Sequence, residues 1–276
     1  MKKLFLIGLF LPFVSLSQQY KTVDKNGEAI PFVTVYNPEL QSGTISDEKG
    51  IFKYSAGRTV ILSSVSYKKD TVQLSYNCLD ICKIVMTKDF IQLDEVIVYS
   101  DSKDWKDKQQ LGFHNNKREH YAQYQNNPYG YTFLLKIENK RDAPAKLLKA
   151  FFDVKNNSKT SMRVRVFSID SKGEPGRDLL TENVMINKFN FLSGVSINLS
   201  KYNIIIPPKG IFIGLDVFKI SDDDIKFNLG IVADYTAKSF MGNTFGDDKF
   251  YLSERTVIGG PSYLFRNYRF GVKVAY

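Results

Sequence analysis

Apolar and polar positions in this chain alternate with a period of two over short runs, and turn residues separate the runs. Tyr131, Phe133, Leu135 and Ile137 fall on one side of a segment at 129–138. Met162, Val164, Val166 and Ser168 alternate with Arg163, Arg165 and Phe167. That period places the two sets on opposite faces of a pleated strand. Short apolar runs at 147–154, 184–186, 195–199, 203–206, 211–218, 225–233, 250–252 and 270–276 predict further strands. Turns at 170–176 and at Pro207-Pro208-Lys209-Gly210 part them. About eight to ten strands without a long helix predict a jelly-roll-like β-sandwich over 126–276.

The first third shows the same pattern in shorter pieces. A strand at 20–23 leads into Asp24-Lys25-Asn26-Gly27, a tight turn. The run at 29–36 is apolar on both faces, and Pro31 puts its start near an edge. Strands at 43–46 and 51–55 flank the turn Asp47-Glu48-Lys49-Gly50. Those at 60–64, 71–74, 83–87 and 95–99 complete a β-sandwich over 18–99. The whole chain is therefore expected to be all-β, with two modules in tandem.

Four pieces of the first module carry a resemblance. They are G-E-A-I-P-F-V-T-V from Gly27, G-T-I-S-D-E-K-G-I-F from Gly43, L-S-S-V-S-Y-K from Leu62 and L-D-E-V-I-V from Leu93. In that order they resemble the carboxypeptidase regulatory-like domain. The resemblance implies a transthyretin-like seven-stranded sandwich, an accessory module without peptidase activity. Such modules precede others in exported bacterial proteins, including TonB-dependent outer-membrane receptors. Ser66-Tyr67 stands where the family often carries Gly-Tyr, which predicts a changed turn.

Between the modules, residues 100–125 are polar and charged and read as a linker. Trp105, the only tryptophan, lies within it. It is either an aromatic platform for a sugar or partner, or a plug for the gap between modules.

Residues 1–17 read as a secretory signal, with Lys2 and Lys3 ahead of an apolar run at 4–14, small residues Ser15 and Ser17, and Gln18 first in the mature chain. That run falls short of the roughly 20 residues needed to span a bilayer, and no later window is apolar enough to be a transmembrane helix. The expected location is the periplasm or the outer membrane. The net charge of +9 is scattered, which suits a lysine-rich solvated surface. Attraction to acidic polysaccharide, lipid head groups or lipopolysaccharide is the sharper alternative, and nucleic acid is not an expected partner. Export permits a disulfide between Cys78 and Cys82. With three residues between them, such a bridge requires a turn.

Candidate chemistry is sparse. His114 and His120 are the only histidines, and neither is joined by a set of ligands suited to zinc. There is no G-x-S-x-G elbow. Asp222-Asp223-Asp224 and Gly246-Asp247-Asp248 lack the alternating spacing of a calcium loop and read as solvated turns. No catalytic residue, metal or cofactor is expected. The expected role is non-catalytic binding or assembly at the cell envelope. Its alternative is glycan recognition by the C-terminal module through Trp105, Tyr129 or Tyr131. The partner is accordingly an envelope protein or a glycan, and the oligomeric state is left open.

Overall fold

The computed structural model describes residues 18–76, 78, 80–89, 105–124, 130–156, 161–186, 194–218, 227–245, 249–253, 256–259 and 262–276. The expected leader at 1–17, the expected closing strand at 95–99, Tyr129, and the expected turns at 222–224 and 246–248 lie outside those residues. Almost every described element is a strand. Among the described residues no helix is long and apolar enough to cross a membrane.

The first module contains β1 (Gln19–Val23), β2 (Thr34–Asn37), β3 (Ser42–Ile45) and β4 (Ile51–Lys53). It continues with β5 (Thr59–Ser63), β6 (Asp70–Gln73) and β7 (Ile81–Val85). These make two sheets, β4-β1-β7 and β3-β2-β5-β6. Tyr20, Phe52 and Ile84 from one sheet meet Val35, Val60 and Leu62 from the other in a single core. Side-chain carboxylates shape the turns. Asp47 Oδ1 accepts from the amides of Lys49 and Ile51 at 2.8 and 2.7 Å, and Gly50 takes a φ of +74°. A Cβ at Gly50 would lie 2.7 Å from Thr22 O, so the turn admits only glycine there.

Two local expectations change. The run at 29–36 is not one strand. Phe32 has a φ of +56°, the amide of Val33 is capped by Ser46 Oγ at 2.8 Å, and pairing starts at Thr34. Ser66 does not abolish the backbone a glycine would supply, because it takes a left-handed φ of +66° itself.

The second module opens with β8 (Lys108–Gly112), β9 (His120–Tyr124), β10 (Tyr131–Ile137), β11 (Ala145–Phe152) and β12 (Val154–Asn156). Next come β13 (Met162–Ile169), β14 (Pro175–Asp178), β15 (Val184–Ile186), β16 (Val195–Asn198) and β17 (Ile205–Ile206). A single 3-10 turn, Ser200–Tyr202, precedes β17. The last strands are β18 (Ile211–Val217), β19 (Phe227–Asp234), β20 (Ser239–Gly242), β21 (Phe250–Leu252), β22 (Thr256–Gly259), β23 (Ser262–Tyr268) and β24 (Phe270–Ala275).

One layer is a seven-stranded sheet, β14-β13-β18-β10-β20-β21 with β15 on β13. The other joins β16-β11-β24-β8 to β12-β19-β23-β22. Phe133, Leu135, Val164, Val166, Ile213 and Leu215 face Leu147, Ala150, Phe152, Leu229, Val272 and Val274 in one core. Full burial of each such side chain is worth about 1.5–3 kcal/mol.

The second layer branches where the β11–β24 ladder ends, at Phe152 and Phe270. Beyond that point β12 pairs with the first half of β19, and β23 pairs with its second half. Gly230 sits over the fork: its N–H donates to Asp153 O at 2.8 Å, and its carbonyl accepts from Arg269 N at 2.8 Å. A Cβ there would lie 2.1 Å from Asp153 Oδ2.

The expected linker at 100–125 is corrected by this sheet. Of its described residues, Lys108–Gly112 and His120–Tyr124 are strands, paired with β24 and β19. On β8 only Leu111 is fully buried, so the strand reads as a polar segment in sequence.

Candidate functional site

The outer face of the seven-stranded sheet organises the molecule. By alternation, Thr132 and Leu134 on β10, Arg163, Arg165 and Phe167 on β13, and Phe212 and Asp216 on β18 turn away from the main core. The first module covers one end of this face.

At that end Asp216 is fully buried. Its Oδ2 accepts from Arg163 Nε and Nη2 at 2.8 and 2.6 Å and from Arg165 Nη1 at 2.8 Å. Its Oδ1 accepts from Thr132 Oγ1 at 2.7 Å. Burial opposes the charge, but Arg165 and Arg163, with the threonine hydroxyl, outweigh it and hold the carboxyl below the usual range. The same arginine reaches across the boundary, where Arg163 Nη2 donates to Thr34 Oγ1 at 3.3 Å and Nη1 to Phe32 O at 3.4 Å.

Asn183 completes the joint. Its Nδ2 donates to Pro31 O at 3.1 Å and to Ser64 Oγ at 3.2 Å, while its Oδ1 accepts from Arg163 Nη1 at 3.1 Å. Ser66 Oγ donates to Thr181 O at 2.9 Å. Gly43 packs on Phe245, where a Cβ would lie 2.7 Å from Cγ of the ring. The left-handed Phe32 and Ser66 therefore both belong to segments that touch the second module.

Beyond this footprint the same face becomes apolar. Leu134, Phe167, Ile169 and Phe212 form a cluster of their own, with Phe240 and Phe250 packed against it half-buried. Phe212 and Phe240 meet edge to face at 5.1 Å, and Phe167 lies 5.8 Å from Phe250. Leu252 pairs with Phe240 on the edge strand and is exposed. Arg165 stacks over Phe167 at 4.5 Å. The result is an apolar strip beside the first module, with a cation along it.

Of the rings singled out in the sequence, Trp105 and Tyr131 lie among the described residues. Trp105 is half-buried just ahead of β8. Tyr131 is half-buried in a cluster with Tyr124, Phe133 and Phe227, at 5.7, 5.4 and 6.3 Å. Burial raises its hydroxyl pKa. His114 stacks on Phe151 at 4.2 Å, and burial followed by Arg269 lowers its pKa against the pull of Asp153. Among the described residues no three His, Cys, Asp or Glu side chains gather as a metal site. Cys78 and Cys82 are joined by a disulfide with their Cα atoms 5.5 Å apart, the bend falling just ahead of β7. Sequence reasoning missed Arg163 and Asn183 as joint residues, and no local signal marks a polar strand face that another module will cover.

Two all-β modules locked through such a face define the class of protein. Residues 21–98 match the CarboxypepD_reg-like domain, so the first module is a domain of that non-catalytic regulatory kind. No curated protein matches the chain. Two solved chains show distant likeness, described as structures of the infectious bursal disease virus Gx and Gt strains. The first is 12% identical over 88% of this chain and 61% of its own, with a TM-score of 0.28. The second is 11% identical over 93% of this chain and 62% of its own, with a TM-score of 0.30. This chain thus spans about three fifths of their length. At that level of superposition the likeness assigns no function.

Proposed function

We propose that this chain is a non-catalytic binding and assembly protein of the cell envelope, exported to the periplasm or the outer membrane. The first module acts as a docking element held at a fixed angle, and the second carries the recognition surface. The observation that supports this best is the outer sheet face. One end is sealed by the first module through Arg163, Asp216 and Asn183. The other presents Phe240, Phe250 and Leu252. A contiguous apolar strip at a sheet edge, beside polar groups, is the kind of surface that takes a protein partner.

The test is cross-linking of the protein in its own envelope fraction, read by mass spectrometry. Reproducible capture of one envelope protein, lost in Leu252→Asp, supports the reading. Capture that Leu252→Asp leaves unchanged counts against this face. The glycan reading is favoured by Tyr235 and Tyr251, whose rings are 74% and 65% exposed. Binding to one sugar class on an array, lost in Tyr251→Ala, would put that reading first.

A further inference from the structure

We propose that the second module holds a binding site for a carboxylate, centred on Arg266. This goes beyond the docking role and uses a different part of the molecule. A cavity of about 90 Å³ lies between β9, β19, β23 and Ser253, the residue after β21. Strand register explains why side chains so distant in sequence meet there. His120 and Tyr268 both pair with Ile231, Ala122 pairs with Leu229, and Arg266 pairs with Ala233. Paired residues share a face, so these groups converge on one side of the sheet. Ser253 closes the cavity from the other layer, anchored by its N–H to Ser239 O at 2.7 Å.

Arg266 separates this cavity from a packing gap. Its Nε is hidden from solvent and has no hydrogen-bond partner among the described residues. A guanidinium N–H without an acceptor is a standing cost in a folded protein, and such groups mark sites that an outside acceptor completes. The other polar lining groups are the hydroxyls of Ser253, Tyr268 and Tyr124, the amide of Gln123 and the imidazole of His120, and among the described residues no acid lines the cavity. Glu119, one residue ahead of β9, lies 3.9 Å from His120 Nδ1 and is substantially exposed. Tyr124 forms a fixed aromatic wall, stacked on Phe227 at 5.5 Å and set against Phe133 at 4.6 Å.

A rigid guanidinium beside hydroxyl donors matches a carboxylate in geometry and charge. The volume equals about three waters. It admits a carboxylate on a one- or two-carbon stem and leaves a sugar ring outside. The ligand is therefore a small free carboxylate or the acid group of a uronic acid at the mouth. The chain's net charge of +9 favours approach of either.

The test is an NMR titration of the full chain with acetate, with glucuronate and with the neutral methyl ester of glucuronate. Acetate or glucuronate should shift amides of β9 and β23 saturably, and the ester should not. Equal binding of both acids assigns the site to free carboxylates. Tighter binding of glucuronate assigns it to uronic acids. Arg266→Gln should weaken binding by about tenfold or more. Ser253→Ala should weaken it less and serves where Arg266→Gln fails to fold. No saturable shift with either acid, ester binding equal to the acid, or undiminished binding in both variants would overturn the proposal.

Discussion

Two of the aspartates that are drawn almost entirely out of water hold different kinds of joint. Asp216 lies where the first module meets the second, and Asp153 lies where the second layer of the sandwich forks. Each accepts from two arginines and one hydroxyl: Arg163, Arg165 and Thr132 for the first, Arg118, Arg269 and Tyr121 for the second. Each joint also has a glycine pressed into it, Gly43 and Gly230. The difference lies in the arginines. Arg163 is 4% exposed, whereas Arg118 is 36% exposed. An ion pair with a wet partner tolerates loss of that partner, because water replaces it. A dry pair does not, since removing one member strands the other charge. The pair beneath the module boundary is thus the less forgiving of the two, and it fixes Arg163 where that side chain reaches Thr34 and Phe32 of the first module, which fits a fixed angle between modules rather than a hinge.

The largest expected effect is at the dry joint. Asp216→Ala should cost about 3–5 kcal/mol, because Arg163 is left buried without its counter-charge. Denaturant melts of the full chain measure this. A loss no larger than that of Arg118→Ala would erase the contrast between the joints. Next comes Gly230→Ala, which forces a Cβ onto the Asp153 carboxylate and should cost about 1–3 kcal/mol. Hydrogen exchange should show its opening confined to β12, β19 and β23, with the first module unaffected.

Asn183→Ala removes bonds to Pro31 and Ser64 and should cost about 1 kcal/mol. Its signature is faster exchange in residues 31–34 and 64–67, not in the sandwich core. Ser66→Gly is smaller still. It relieves a left-handed serine but gives up the bond to Thr181, so the two changes oppose each other. A clear gain in stability would mean that the serine contributes nothing to the joint.

Acid should act on the two regions in sequence. His114, near the fork, has a folded pKa below its ordinary value, so its contribution is complete above about pH 6.5 and fades as pH falls through the folded value. Asp216 also has a depressed folded pKa, so its contribution is complete above the ordinary carboxylate value near 4 and is lost only as pH falls through the lower, folded one. A melting series against pH should show a shallow decline first, flattened by His114→Gln, and a steep loss only in stronger acid. A steep loss near neutrality would contradict the pairing of Asp216.

Much of the fold is legible in the sequence, and the reason is alternation. The set Tyr131, Phe133, Leu135 and Ile137 turns to the core as its period requires, and so do Met162, Val164 and Val166. Alternation says which residues share a face but not what covers it. The period puts Arg163 and Arg165 opposite Val164 and Val166, and does not show that they meet Asp216 beneath the first module. β8 and β9 were hidden for a related reason, since few of their residues are buried. The cavity at Arg266 was not legible at all. His120, Ser253 and Arg266 are remote in sequence, and only the register of β19 with β9 and β23, and the packing of Ser253 from the other layer, bring them together.

The most direct test of a fixed two-module body is calorimetric unfolding of the full chain, with near- and far-ultraviolet circular dichroism followed in parallel. The buried Arg163–Asp216 joint predicts one cooperative transition that both probes report together, splitting into two in Asp216→Ala. Two separate transitions in the unaltered protein would contradict it and would make the first module an independently hinged domain.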